Sequence, residues 1–309
     1  MKLSLGTMNF GRRTSASEAE VIVRRAYDHG IRLFDTANMY CDGDSEKILG
    51  KAIAPIRAGS IIATKVGLGK RATGRGNEGL ARAAILASID ASLSRLGLDY
   101  VDVLYLHAPD ASTPIEETLD AIKTVLTSGK IRAWGVSNYA SWQVLEMMHQ
   151  CDLFGIMRPA ISQVIYNLLV RQIEVEYTRF AMRYGLHTTV YNPLAGGLLS
   201  GKHTQGEIAK GSRFDGNSLY QRRYLTEPMF HLVDQLSALA AEAGMTLVDL
   251  SYAWLASRPG VDSILVGPGS VEHLDAAVDA LAKVVPADLS KKIDELHRAY
   301  LGTDVRYAR

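Results

Sequence analysis

The stretch VDVLYLHAPDASTPIEETLDAIKTVLTSGKIRAWGVS, residues 101–137, reads as one strand–helix–strand unit. Residues 101–107 are a short run rich in β-branched and other apolar side chains, as a buried strand requires, and 131–137 are another. Between them, 114–128 place apolar side chains at helical spacing, with Pro114 at a first helical position after Thr113 and Gly129 where a helix C-terminus should stand. A helix of that length between two strands makes a crossover, so the strands lie parallel. The alternation continues in both directions: further strands are predicted at 3–7, 31–35, 60–65, 160–166, 186–191 and 263–267, and further helices at 17–29, 78–96, 141–149 and 171–184. Ser17 with Glu20 has the form of a capping box, and Gly30, Gly97 and Gly185 mark helix ends. No Pro/Ser-rich linker or charge block interrupts the pattern. The prediction is α/β, a single domain over 1–309 built as a (β/α)8 TIM barrel. A long loop, 192–229, follows the seventh strand, and an extra C-terminal helix, 289–300, leads to a tail expected outside the barrel or over its mouth.

Composition removes several function classes. The 309 residues carry 34 Lys+Arg against 33 Asp+Glu, a net charge of +1, with 47% hydrophobic residues, which fits a folded globule with a sizeable core. Near-balanced charge gives no footprint for nucleic acid or an anionic membrane, and Lys70-Arg71 and Arg222-Arg223 are too short to change that. Cys41 and Cys151 are the only cysteines, so free thiols in a reducing, cytoplasmic setting are expected. The start, MKLSLGTMNFGRR, has no signal-peptide core, and no apolar stretch approaches the ~20 residues that span a bilayer. The expected partner is a small molecule, and the chain is expected to be a monomer or homodimer.

In such a barrel the active face lies at the C-terminal strand ends. There the predicted elements put Asp35 at the end of the second strand, Tyr40 in its loop, Lys65 at the end of the third and His107 at the end of the fourth. A phenol with a pKa of ~10 is a poor acid, and a neighbouring ammonium is expected to lower that value. Asp35 would orient Lys65, and His107 would share a carbonyl oxygen with Tyr40, an arrangement suited to carbonyl reduction. The same types at strand ends also serve as plain hydrogen-bond partners, and Lys65 alone would suit a Schiff-base aldolase or isomerase. Residues 194–202 contain three glycines and end in Lys202, which suits a backbone belt over a pyrophosphate. Gly267 precedes a helix starting near Ser270, an anion site in waiting. Gly67-Leu68-Gly69-Lys70-Arg71-Ala72 matches G-x-G-x-x-A, but no helix begins until about Glu78, so it is rejected as a dinucleotide motif. His149, Cys151 and Asp152 lack a matching second cluster, and no metal is expected.

FDTANMYCDGDSEKILG at 34–50 resembles the most specific signature of the aldo-keto reductases, and the resemblance continues through ATK at 63–65, LHAPD at 106–110, GKIRAWGVSNY at 129–139 and YNPLAGGLLSGK at 191–202. LGTMNFGRR near the start, NYASW at 138–142 and GSRFDGNS at 211–218 look most like the aflatoxin-aldehyde reductase branch, whose members reduce aldehydes and dicarbonyls, including succinic semialdehyde, with NADPH. The resemblance implies a catalytic tetrad of Asp35, Tyr40, Lys65 and His107, with Tyr40 as general acid. It further implies that Ser137, Asn138 and Gln163 bind the nicotinamide amide and that Tyr191 stacks on its ring. Thr7, Met8, Asn192, Pro193, Leu194, Gly196, Gly267, Gly269 and His273 would complete the cofactor cleft. Lys202 and Arg213 would sit near its phosphates, Arg213 at the adenosine 2′-phosphate. Two departures stand out: the chain enters its first strand without the N-terminal hairpin of many relatives, and Gly269, Ser270, His273 and Ala277 replace part of the usual adenine clamp. NADP(H) is therefore expected, with NAD(H) left open. Met8, Met39, Trp142 and Tyr220 are candidate pocket walls, and Arg222, Arg223 and Arg309 suggest a preference for acidic aldehydes. Some relatives bind NADP(H) while acting chiefly as partners of other proteins, which supplies the rival reading of a cofactor-sensing interaction subunit.

Overall fold

Eight parallel strands close into a barrel in simple sequence order: β1 (Leu3–Gly6), β2 (Leu33–Asp35), β3 (Ile61–Val66), β4 (Val101–Leu106), β5 (Ile131–Ser137), β6 (Ile161–Ile165), β7 (His187–Tyr191) and β8 (Ser263–Val266). This computed structural model describes residues 2–70, 77–203 and 205–308. Every predicted strand is present, each within two residues of its expected limits.

Side-chain alternation builds the site. Along a strand, residues two apart share a face. Ala63, Val103, Tyr105 and Ile161, with Leu33 against them, form a small apolar cluster separate from the main core. That cluster fills the barrel's inside. Two residues further along the same strands come Asp35, Lys65 and Gln163, so the next layer up is polar. The intervening residues, Phe34, Ile62, Leu104, Val136 and Val164, are buried in the larger core between sheet and helices. Apolar below and charged above, the barrel interior aims its polar layer at the C-terminal mouth.

The surrounding helices are α1 (Ala16–Asp28), α2 (Asp44–Ile53), α3 (Arg82–Leu96), α4 (Ile115–Thr127), α5 (Ser141–Phe154), α6 (Tyr177–Tyr184), α7 (Ser218–Tyr224), α8 (Glu227–Glu242), α9 (Leu247–Ser257), α10 (Val271–Leu281) and α11 (Ala287–Leu301). Several local expectations shift. The capping box of α1 is made by Ser15 and Glu18, not Ser17 and Glu20, because the helix starts at Ala16. Pro114 is the N-cap of α4, one residue before the predicted place. Residues 171–184 begin as a 3-10 turn, Gln172–Glu174, and only Tyr177–Tyr184 is α-helical. The stretch 192–229 is not one loop: it holds a 3-10 turn, Ala195–Ser200, then α7 and the start of α8. Helix α11 packs on α8, outside the barrel, and Asp304–Ala308 lie beside Glu174 and Arg179. No described helix is long and apolar enough to cross a membrane.

Candidate active site

Lys65 is the hub of the polar layer. Its Nζ pairs with Asp35 Oδ1, donates to the Thr36 carbonyl at 2.9 Å and lies 3.5 Å from Tyr40 Oη. The second Asp35 oxygen accepts Gln163 Nε2 at 2.9 Å. Both Lys65 and Asp35 are fully buried. Burial works against the Lys65 charge, but the attraction of Asp35 outweighs it and holds the ammonium's pKa above its ordinary value. Removing one partner of such a pair leaves a lone buried charge, at a cost of about 3–5 kcal/mol.

Tyr40 follows β2 at the head of a short turn whose next residues, Cys41 and Asp42, take left-handed backbone angles, φ 50° and 53°. Its hydroxyl departs from the expected direction. Desolvation raises the phenol pKa, Lys65 pulls it down, and desolvation prevails, so Tyr40 sits above its ordinary value. The group is therefore held protonated, and the ammonium's help is reserved for the phenolate left after the proton departs. His107 meets Tyr40 edge-on, ring centroids 6.0 Å apart at 79°. Burial, with Lys65 adding to it, drives the imidazole pKa down to about 3, so His107 is neutral at physiological pH. Its Nδ1 is buried and has no hydrogen-bond partner among the described residues.

Residues that sequence reasoning did not single out hold this layer in place. Ser45 Oγ donates to the Thr7 carbonyl at 2.9 Å and meets the hydroxyls of Thr7 and Thr36 at 2.8 and 3.1 Å. Thr7, expected at the cofactor, turns its own hydroxyl inward to the Asp35 carbonyl at 3.1 Å. Glu46 is fully buried and accepts from Arg95 Nε at 2.6 Å and from Thr64 Oγ1. A buried acid two residues after an exposed one in the 34–50 stretch is the signal that pattern reading would have needed.

On the opposite side of the mouth, β5 ends at Ser137, whose Oγ donates to the Gln163 carbonyl at 3.0 Å. Asn138, at φ 64°, donates to the His107 carbonyl at 2.9 Å and receives the Tyr191 hydroxyl at 2.7 Å. Ser137, Asn138 and Tyr191 thus converge beside His107. Gln163, expected at the end of the sixth strand, sits mid-strand in β6, paired in register with Ser137, and its amide is turned to Asp35.

After β7, Asn192 at φ 64° accepts from the Gly196 amide at 2.7 Å and donates to Tyr224 Oη at 2.6 Å, while Asn167 Nδ2 donates to its carbonyl at 3.0 Å. Pro193 is buried, and the Leu194 carbonyl accepts the Gly197 amide at 2.8 Å. Gly196 is needed twice over, for φ 73° and because a Cβ there would meet the Tyr220 ring at 2.8 Å. Arg213 donates to Met8 Sδ at 3.0 Å and Asn9 Oδ1 at 2.9 Å, with its guanidinium 5.5 Å from the Tyr220 ring. Asn9 Nδ2 in turn donates to the Gly267 carbonyl at 3.0 Å, so Arg213, β1 and the end of β8 form one edge. Gly267 and Gly269 lead to Ser270, the N-cap of α10, and His273 is exposed on its first turn.

The remaining candidates divide. Met8 and Met39 are each 41% exposed and Trp142 is 64% exposed, the apolar rim expected of pocket walls. Tyr220 is buried close to Tyr40 and Tyr191. Arg223 is exposed on α7 and near enough to Tyr191 to oppose the burial that lifts that hydroxyl to about 12. Arg222 and Lys202 are exposed, Lys202 beside His203 and Glu207, and Arg309 lies outside the described residues. The G-x-G decoy is filled by its own chain: Glu78 Oε1 accepts the Gly67 and Gly69 amides and Asn38 Nδ2, and α3 starts only at Arg82. Arg71 and Ala72 of that stretch also lie outside the described residues. Asp152 pairs with Arg158.

A sequence profile of the Aldo/keto reductase family matches residues 2–298. The chain belongs to the aldo/keto reductase family. It is similar to a probable voltage-gated potassium channel subunit beta of Arabidopsis thaliana, 36% identical over 94% of this chain and 90% of that protein. It is also similar to aflatoxin B1 aldehyde reductase member 2 of Rattus norvegicus, 36% identical over 88% of this chain and 77% of that protein, and to its Homo sapiens namesake at 36%, over 88% and 79%. This aldo/keto reductase is an oxidoreductase of a family that uses nicotinamide cofactors and acts on small carbonyl compounds.

Proposed function

We propose that this protein reduces aldehydes or ketones to alcohols with NADPH in the cytoplasm, Tyr40 serving as general acid, and that it favours acidic aldehydes or dicarbonyls. The observation that carries the reading is the Tyr40 hydroxyl, 3.5 Å from a buried ammonium that Asp35 holds, beside a neutral His107. The donor set fits a nicotinamide dinucleotide: Ser137 and Asn138 offer amide-sized polar partners, Tyr191 a flat wall, the turn at 195–200 close backbone, and Arg213 a cation for a phosphate. When bound, the reduced nicotinamide supplies hydride to the carbonyl carbon. Tyr40 Oη gives its proton to the carbonyl oxygen, and Lys65 stabilises the phenolate until solvent returns a proton. With a pKa of about 3, His107 is no proton donor at neutral pH; it orients the carbonyl through a neutral hydrogen bond.

A panel of aldehydes assayed with NADPH and with NADH tests this. Succinic semialdehyde should turn over with higher kcat/KM than an uncharged aldehyde of similar length, and NADPH should be the better donor. No turnover of any carbonyl with either cofactor would overturn the reading. It would then favour a second one, a dinucleotide-binding partner of other proteins, which the name of the Arabidopsis relative suggests. The presence of all four tetrad side chains in mutual reach speaks for the enzyme.

A further inference from the structure

The loop after β6 meets α9 and α11 around Trp254, which is fully buried. The guanidinium groups of Arg171 and Arg258 stand 4.9 and 5.1 Å from its ring. Both also reach one carboxylate oxygen, Glu174 Oε1, Arg171 Nε at 2.8 Å and Arg258 Nη2 at 3.8 Å. The nearby acceptors are already engaged. Arg171 Nη2 donates to Glu174 Oε2 at 2.9 Å and to Asp294 Oδ1 at 2.6 Å, and Tyr166 Oη donates to Glu174.

The unpartnered side-chain atoms in this corner are donors alone. Arg171 Nη1, Arg258 Nε and Trp254 Nε1 are each buried without a hydrogen-bond partner among the described residues, and no side-chain acceptor beside them is in the same state. Buried N–H groups are almost always paired, so three orphans, two of them on guanidinium groups about 5 Å from the indole that carries the third, point to a group that accepts from them. Water fits poorly, because it would bring two hydrogens of its own to a place with no spare side-chain acceptor. A halide only accepts. The charge agrees: Arg171, Arg179, Arg258 and Arg306 gather here against Glu174, Asp294 and Asp304.

We propose that this corner is a binding site for a monovalent, halide-sized anion, chloride in the cell, held by Arg171 Nη1, Arg258 Nε and Trp254 Nε1. The anion ties the loop after β6 to α9. It takes no part in carbonyl reduction, so the proposal stands whether or not the catalytic reading does.

Thermal unfolding of the full chain tests it, in sodium chloride or bromide against sodium gluconate at equal ionic strength. Screening of surface charge is the same in all three, so a saturating rise of about 3 °C in Tm confined to the halides is the expected result. Trp254→Phe drops the indole N–H and keeps only a six-membered ring, so the cavity lowers its Tm in gluconate; against that baseline its halide affinity should be weaker at least tenfold. Crystals of the wild type soaked in bromide should show an anomalous peak among the three nitrogens. Equal Tm in halide and gluconate, an unchanged halide response in Trp254→Phe, or an ordered water in place of the bromide peak would each overturn the proposal. Should Trp254→Phe fail to fold, the wild-type salt series and the bromide map decide alone.

Discussion

The Lys65 ammonium and the Arg213 guanidinium both belong to the mouth, yet they are held in opposite ways. Lys65 stands on a barrel strand, fully buried, with a carboxylate, a carbonyl and a phenol around it. Arg213 hangs on the segment after β7, half-exposed, held by a thioether, one amide oxygen and a tyrosine face. None of the Arg213 partners is charged, so a phosphate can displace them at little cost, whereas nothing can displace Asp35 from Lys65 without stranding a charge. Under the proposed function, strand register fixes the chemistry and the segment after β7 is left free to set what binds.

The sharpest way to break that division is Tyr40→Phe. It should lower kcat by about 10³ while leaving the Kd for NADPH, measured by fluorescence quenching, within twofold of wild type. Equal loss in both would mean the two regions are not separable. Next in size, Arg213→Ala should weaken NADPH binding by roughly 10–100-fold with NADH nearly unaffected and kcat at saturation preserved. A fall in kcat instead would place Arg213 on the catalytic side. Arg223→Ala should cost only about threefold in kcat/KM for succinic semialdehyde, with no change for an uncharged aldehyde, because an exposed cation binds a carboxylate weakly. A test of a different kind concerns pH and stability rather than binding. The pKa of His107 is near 3 in the folded chain against an ordinary 6.5, so the unfolded chain takes up that proton first as pH falls. Stability from this group is complete above pH 6.5 and drains away toward pH 3, and His107→Gln should flatten that part of the Tm profile. Turnover should show no inflection near pH 6.5.

Much of the barrel, and the gathering of Asp35, Tyr40, Lys65 and His107 at its mouth, was readable in the sequence because the two periodicities there are clean. Strands such as 131–137 and helices such as 114–128 carry one pattern each, and the polar strand ends Asp35, Lys65 and His107 interrupt apolar runs where side-chain alternation makes them conspicuous. The bond from Gln163 to Asp35 was not legible, because a single polar residue inside a short strand gives no sign of which distant side chain it meets. The direction of the Tyr40 shift was misjudged for a different reason. Sequence shows that a lysine is near, but the size of the opposing desolvation depends on how tightly the mouth packs. The segment 192–229 hid α7 because its turns, caps and glycines outnumber its apolar positions. Asn9 and Asn167 escaped notice since each acts by tying two distant segments together, a property absent from any local window.

Glu78 carries a practical lesson for anyone reshaping this scaffold. The chain supplies its own carboxylate to the glycine bend after β3, and the same group steadies Asn38, two positions before Tyr40. An engineer who evicts it to make room for a nucleotide there would slacken the leash on Tyr40 first, and catalytic output would fall before any new ligand was gained.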